Sequence, residues 1–171
     1  MRHWALSAAT GAAIFISSSG SASPEQGLIS GSYIVDEERS DNYLQSIGNA
    51  LPVRSLATRD LVRRLRKAAA PAYAISISFS EGRFSIKNDA KPLIDVSTSG
   101  EAIEWKLEDG QVFDVSAKAN GEAVSLTFRA PDSERTTVYR SGGQQLVAET
   151  TITGPLISTP IRYKVVYNRA N

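Results

Sequence analysis

A stretch of helical period, Ser40 to Ala70, interrupts a chain that otherwise alternates like β-strands, and few folds accommodate that arrangement. Its first half, Ser40-Asp41-Asn42-Tyr43-Leu44-Gln45-Ser46-Ile47-Gly48, opens with side chains that accept hydrogen bonds from free helix N–H groups. It closes on a glycine suited to a left-handed cap. Its second half, Ser55 to Ala69, places Leu61, Leu65 and Ala68 at i, i+4 and i+7 with Val62 beside them, one apolar stripe. The other faces of that half carry Arg59, Arg63, Arg64, Arg66 and Lys67, with Asp60 as its only acid. Pro71 ends the helix, because it lacks an N–H and disfavours α geometry in the residue before it. The expectation is a helical hairpin placed as a lid near the start of an all-β protein.

After Pro71 the period changes to two. Tyr73, Ile75, Ile77 and Phe79 alternate with Ala74, Ser76, Ser78 and Ser80, and Glu81-Gly82 turns the chain into Arg83–Lys87. Strands and turns then succeed each other. Leu93–Thr98, Ala102–Leu107, Gln111–Ala119, Ala123–Arg129, Arg135–Arg140, Gln144–Thr153 and Ile161–Arg169 are separated by Ser99-Gly100, Asp109-Gly110, Asn120-Gly121, Pro131-Asp132-Ser133, Gly142-Gly143 and Gly154-Pro155. With Gly31–Glu38 ahead of the helices, this makes about ten strands joined mostly by tight hairpins. Such a meander closes into a barrel to remove its exposed edges, and a β-sandwich is the alternative. The fold class is mostly β: an antiparallel up-and-down barrel of about ten strands, with a helix-turn-helix lid between the first two. Ser76, Ser78, Ser85, Ser125, Thr127, Thr136, Thr150 and Ala148 are too small to fill a tight core and are expected to line a cavity.

The N-terminus reads as a secretory signal peptide over residues 1–22. It has a basic start at Arg2 and His3, an apolar run from Trp4 to Ile16, and small residues leading to cleavage after Ala22. Residues 23–30 form a polar leader, and 31–171 the barrel. The localisation expected is secreted or periplasmic. Cleavage would remove the sole histidine, His3, and the chain has no cysteine, so a Ser-His-Asp triad, a thiol nucleophile and His or Cys metal ligands are excluded. The charge balance, 19 basic against 18 acidic residues, becomes even once Arg2 is removed, and nothing global suggests a nucleic-acid partner. Carboxylates such as Asp95, Glu104 and Asp114 show no spacing that marks an acid/base pair.

Particular residues resemble the intracellular lipid-binding proteins, the fatty-acid-binding and retinoid-binding family. Gly31-Ser32-Tyr33 stands where that family opens with G-x-W, Ser40-Asp41-Asn42-Tyr43 resembles S-E-N-F, and Leu56-Ala57-Thr58-Arg59 resembles L-A-T-R. Arg135-Thr136-Thr137-Val138-Tyr139-Arg140 is similar to E-T-T-I-K-R, Leu146-Val147-Ala148-Glu149 to L-V-V-E, and Val166-Tyr167-Asn168-Arg169-Ala170 to V-Y-E-R-A. The matches run over 31–88 and 134–170, and the middle of the chain departs from the pattern. Lipocalins share the G-x-W opening but carry their helix after the barrel.

The resemblance implies a carrier that encloses a small hydrophobic ligand, such as a fatty acid, without transforming it. Its polar end would be held by Arg140 and Tyr167, with Thr150, Val138 and Val165 in the lining. Val165 replaces the arginine of the family's R-x-Y, which removes one anchor. Arg59, Arg63, Arg64 and Lys67 would form a portal touching anionic membranes transiently. Trp105 and Phe113 read as barrel wall. A monomer without cofactor or metal is expected. The alternative is an exported protein-interaction or inhibitor module whose barrel is filled by its own side chains.

Overall fold

Strands with one apolar face need a second apolar surface, and here the sheet supplies it by curling on itself. The computed structural model describes residues 29–51, 55–89 and 91–170, so the expected signal peptide and the leader up to residue 28 lie outside the described residues. The described residues form ten strands: β1 (Gly31–Asp36), β2 (Ala74–Ser80), β3 (Arg83–Asn88), β4 (Ile94–Ser97), β5 (Ser99–Lys106), β6 (Val112–Asn120), β7 (Ala123–Ala130), β8 (Ser133–Ser141), β9 (Gln145–Thr153) and β10 (Ile161–Arg169). Two helices, α1 (Tyr43–Ala50) and α2 (Leu56–Ala68), connect β1 to β2.

All strand pairs are antiparallel, in the order β4-β3-β2-β1-β10-β9-β8-β7-β6-β5. Consecutive strands pair except β4 and β5, and β1 also receives β10, with Tyr33 opposite both Arg169 and Ile75. The barrel is therefore nearly closed, and the missing ladder lies between β4 and β5. There the chain bends at Thr98, whose N–H and hydroxyl both donate to the Gly82 carbonyl, at 2.7 and 2.9 Å. The β2–β3 hairpin turns on Glu81 and Gly82, both at positive φ (51° and 74°), the geometry whose twist matches the flanking strands.

Helix α1 begins and ends differently from the sequence expectation. Ser40 and Asp41 do not open α1. Ser40 Oγ accepts from the Val166 N–H at 2.9 Å, and Asp41 exchanges hydrogen bonds with the Lys164 backbone at 2.7 and 2.8 Å. They tie the approach to α1 onto β10, and Asn42 is the cap, its side chain accepting from Gln45 N–H at 3.1 Å. Gly48 lies inside α1, which continues to Ala50 and is capped by Leu51. In α2 the cap is Ser55, and Leu61, Val62 and Leu65 are buried as the apolar stripe requires. The end of the leader also belongs to the barrel, since Ile29 is buried and its carbonyl accepts from the Tyr33 hydroxyl at 3.1 Å.

One expectation is reversed. Ser76 and Ser78 are exposed, and Ser85, Ser125, Thr127 and Thr136 also lie on the outer side of the sheet; inside are Ile75, Ile77, Phe79, Phe84, Ile86, Val124, Leu126 and Phe128. Burying the apolar face gains about 25 cal/mol per Å², whereas a hydroxyl taken from water needs a partner. On the outside the hydroxyls find water and one another: Ser32 with Ser76 and Thr127 with Thr136, each at 3.0 Å. Of the small residues expected inside, Thr150 and Ala148 are buried there.

Candidate functional site

Helix α2 ends in the mouth of the barrel, and its last carbonyls lack intrahelical partners. Ala68-Ala69-Ala70 is small enough to descend between the strands, and Ala69 is buried. Three side chains from separate parts of the barrel meet those carbonyls. Lys91, between β3 and β4, donates from Nζ to Ala68 O at 2.9 Å and to Ala70 O at 3.4 Å. Arg135 on β8 also donates to Ala68 O, and the Tyr163 hydroxyl on β10 donates to Ala69 O at 2.8 Å. Cations are favoured at a helix C-terminus, where the dipole is negative.

Beneath this junction lies a cavity of about 70 Å³. Its walls mix apolar side chains (Ile75, Ile86, Leu126, Phe128) with polar ones (Lys91, Arg135, Thr137, Thr150 and the three phenols of Tyr139, Tyr163 and Tyr167). No aspartate or glutamate is among the described residues that line it. Arg135 spans two environments. Its guanidinium carbon sits 4.0 Å from the centre of the Phe128 ring, and its buried Nε has no hydrogen-bond partner among the described residues. It also lines a groove of about 220 Å³ between α2 and the β5–β6 and β7–β8 turns, walled by Leu61, Leu65, Val112 and Phe113. Lys91 faces a hollow of about 250 Å³ on the other side of the α2 terminus.

Burial and the adjacent Arg135 lower Lys91 from its ordinary value to about 8. Burial pushes Tyr139 up to about 12, and raises Tyr163 and Tyr167 as well, so all three phenols stay protonated donors. Thr137 and Thr150 pair across β8 and β9 at 3.0 Å. This arrangement can hold an anionic or strongly polar group against an apolar wall.

No protein-family model matches the sequence, and no curated protein matches it either. Solved structures do. A REP1-NXSQ fatty acid transporter superposes with a TM-score of 0.57 at 14% identity, covering 84% of this chain and 96% of the other. Fatty-acid-binding protein 1 of Echinococcus granulosus gives 0.55 at 10% identity over 85% and 99%. Zebrafish ileal bile acid-binding protein complexed with cholic acid gives 0.51 at 14% over 84% and 99%. The fold is that of the fatty-acid-binding-protein-like calycins.

On this barrel the residues expected to touch a ligand separate into two groups. Tyr167, Thr150 and Val165 line the cavity. Arg140 and Val138 do not. Arg140 is on the outer face, its side chain 52% exposed and ion-paired with Glu149, and Val138 lies on the same face opposite Glu149. The reason is register. Thr137 stands opposite Thr150 and Tyr139 opposite Ala148, so the inward residues of β8 are 135, 137 and 139. Arg162 and Lys164 are exposed too. Among the described residues the inward arginine is Arg135, at the start of the stretch that resembles E-T-T-I-K-R, and Lys91, in the stretch that departs from the family pattern, joins it. Parity across the Thr137–Thr150 pair was the signal that could have identified Arg135.

The basic residues of α2 also divide. Arg64 pairs with Asp132 on the β7–β8 turn and Lys67 with Asp109 on the β5–β6 turn, so both tie α2 to the barrel. Arg59 and Arg66 are exposed, as is Arg63, which pairs with Asp60 one turn away at 3.2 Å.

The shifted groups fix a pH profile. Between about 8 and 10.5 the unfolded chain holds a proton on Lys91 that the folded one has shed, so stability rises with pH there. Above 10 the tyrosines reverse the trend, because the folded state retains phenolic protons that the unfolded chain loses. In urea unfolding, wild-type stability rises relative to Lys91→Met between pH 7.5 and 9.5, and both fall by pH 11.5. A difference between the two proteins that does not change with pH would mean Lys91 titrates like a surface lysine.

Proposed function

We propose that the protein is a non-enzymatic carrier, exported from the cell, that holds a small hydrophobic ligand such as a fatty acid in the mouth and interior of its barrel. The observation that carries this reading is the pair of cations, Lys91 and Arg135, on one backbone carbonyl at a partly apolar cavity whose described lining has no carboxylate. Carbonyl dipoles compensate buried cations only in part, and an unpaired buried charge costs several kcal/mol. A ligand carboxylate would supply the missing charge, bidentate at Arg135, with Tyr163 and Tyr167 as further donors. Its apolar part would lie against Phe128 and Leu126 and along the groove under α2. The fold relatives include a fatty acid transporter and a bile acid-binding protein, which is support by analogy of fold.

A second reading has its own observation. At about 70 Å³ the cavity is close to filled, as an interaction module requires. Displacement of a fluorescent apolar probe by decanoate separates the two. The carrier reading expects displacement by wild type, unchanged in Arg140→Met and weakened about tenfold or more in Arg135→Met, since a hydrogen bond to a charged group contributes about 1.5–3 kcal/mol. No displacement by wild type leaves the interaction module.

Membrane contact, on this reading, uses the exposed basic side of α2, where Arg59, Arg63 and Arg66 cluster. Each is worth about 1 kcal/mol near an anionic surface. Replacing all three with glutamine is expected to slow ligand transfer to phosphatidylserine vesicles but not to neutral ones; equal rates would exclude docking through this face. The export part of the proposal rests on residues 1–22. Protein isolated from its own cells is expected to begin at Ser23 by intact mass, and a full-length mass would contradict export by cleavage.

A further inference from the structure

Lys91 is set apart from the other described lysines. Lys67, Lys87, Lys106, Lys118 and Lys164 are exposed, whereas Lys91 is partly buried with its Nζ on the α2 terminus, between the cavity and the neighbouring hollow. Arg135 donates to the same Ala68 oxygen, so an amine and a guanidinium converge on one point. The lining around them is otherwise apolar residues, hydroxyls and Asn88. We propose that Lys91 is a covalent capture site that forms an imine with an apolar aldehyde taken into the barrel, Arg135 holding the aldehyde oxygen. This deepens the carrier reading and depends on it, because the aldehyde must enter where a hydrophobic ligand would.

The chemistry follows from the placement. An amine attacks a carbonyl only as the neutral base, and lysines become competent by desolvation or beside another cation. Both conditions hold at Lys91, where burial and Arg135 act in the same direction. Its value of about 8 leaves roughly a few hundredfold more neutral amine at pH 7 than an ordinary lysine offers. Other charges nearby do not reverse this. Asp89 is exposed, Asp109 is paired with Lys67, and Glu108 is exposed on the far wall of the hollow.

An aldehyde oxygen that replaces Ala68 O as the acceptor of Arg135 brings its carbon toward Nζ. The nitrogen lone pair forms the C–N bond while the C=O π pair moves onto the oxygen, where the guanidinium stabilises it. Both amine hydrogens then leave with that oxygen as water, and the C=N bond is formed. Amine and aldehyde give imine and water, with no change of oxidation state. The reaction is reversible, so the barrel would store or ferry the aldehyde and release it on hydrolysis.

The experiment incubates the full-length protein with decanal at pH 7, traps with sodium cyanoborohydride, and maps the decyl adducts by peptide mass spectrometry. The expected result is one dominant adduct on Lys91, formed at least tenfold faster than on Lys87, Lys106, Lys118 or Lys164. Lys91→Arg, which keeps the charge, loses that adduct. Wild-type mapping alone decides the matter if the variant fails to fold: adducts spread over the exposed lysines, with Lys91 unmodified, overturn the proposal. Probe displacement by decanoate is measured in parallel. Decanoate binding without a Lys91 adduct defeats the capture site alone, and failure of both defeats the carrier reading with it.

Discussion

The carbonyl of Ala68 accepts from both Lys91 and Arg135, and much of the upper half of the barrel follows from that contact. A helix that ends over an open barrel leaves acceptors facing an apolar interior, and such acceptors must be met. Here they are met by cations drawn from the β3–β4 connection and from β8, with Tyr163 on β10 taking the next carbonyl. One helix terminus therefore joins three distant parts of the chain. It also holds two positive charges in a place that water only partly reaches, which lowers Lys91 and favours any anion or carbonyl oxygen that can compete with the backbone.

The same contact explains why the interior is small. The Ala-Ala-Ala-Pro-Ala run lets α2 sink into the mouth, and Ala69, Ala70, Pro71 and Ala72 form part of the cavity's lining. Outside, Arg64–Asp132 and Lys67–Asp109 fasten the helix to two turns. These exposed pairs are individually weak, while the apolar face of Leu61, Val62 and Leu65 supplies the larger contribution. The helix is thus held by burial and directed by charge, and a ligand competing for Arg135 and Lys91 would compete with the helix's own C-terminal cap.

Much of the architecture is legible in the sequence because it is local. The strand β10 begins and ends where alternation places it, Ser55 caps α2, and the Glu81-Gly82 turn forms as its residues require. Departures occur where a residue has two outlets. Ser40 and Asp41 could cap a helix or bond a strand, and β10 lay within reach. Gly48 could end a helix or sit inside one, and packing of Ile47, which is fully buried, carried α1 past it.

By itself the sequence determined a meander of about ten strands interrupted by two helices, and a described barrel without imidazole or thiol. Period, caps and turn residues are read within a few positions of the chain. Only the tertiary structure decided which alternating face looks inward, since a period of two is unchanged in form when shifted by one residue. Pairing of Tyr139 with Ala148 put Arg135 inside and Arg140 outside, and closure of the barrel brought Lys91 to the same carbonyl. That meeting joins residues far apart in the chain, and no local pattern encodes it.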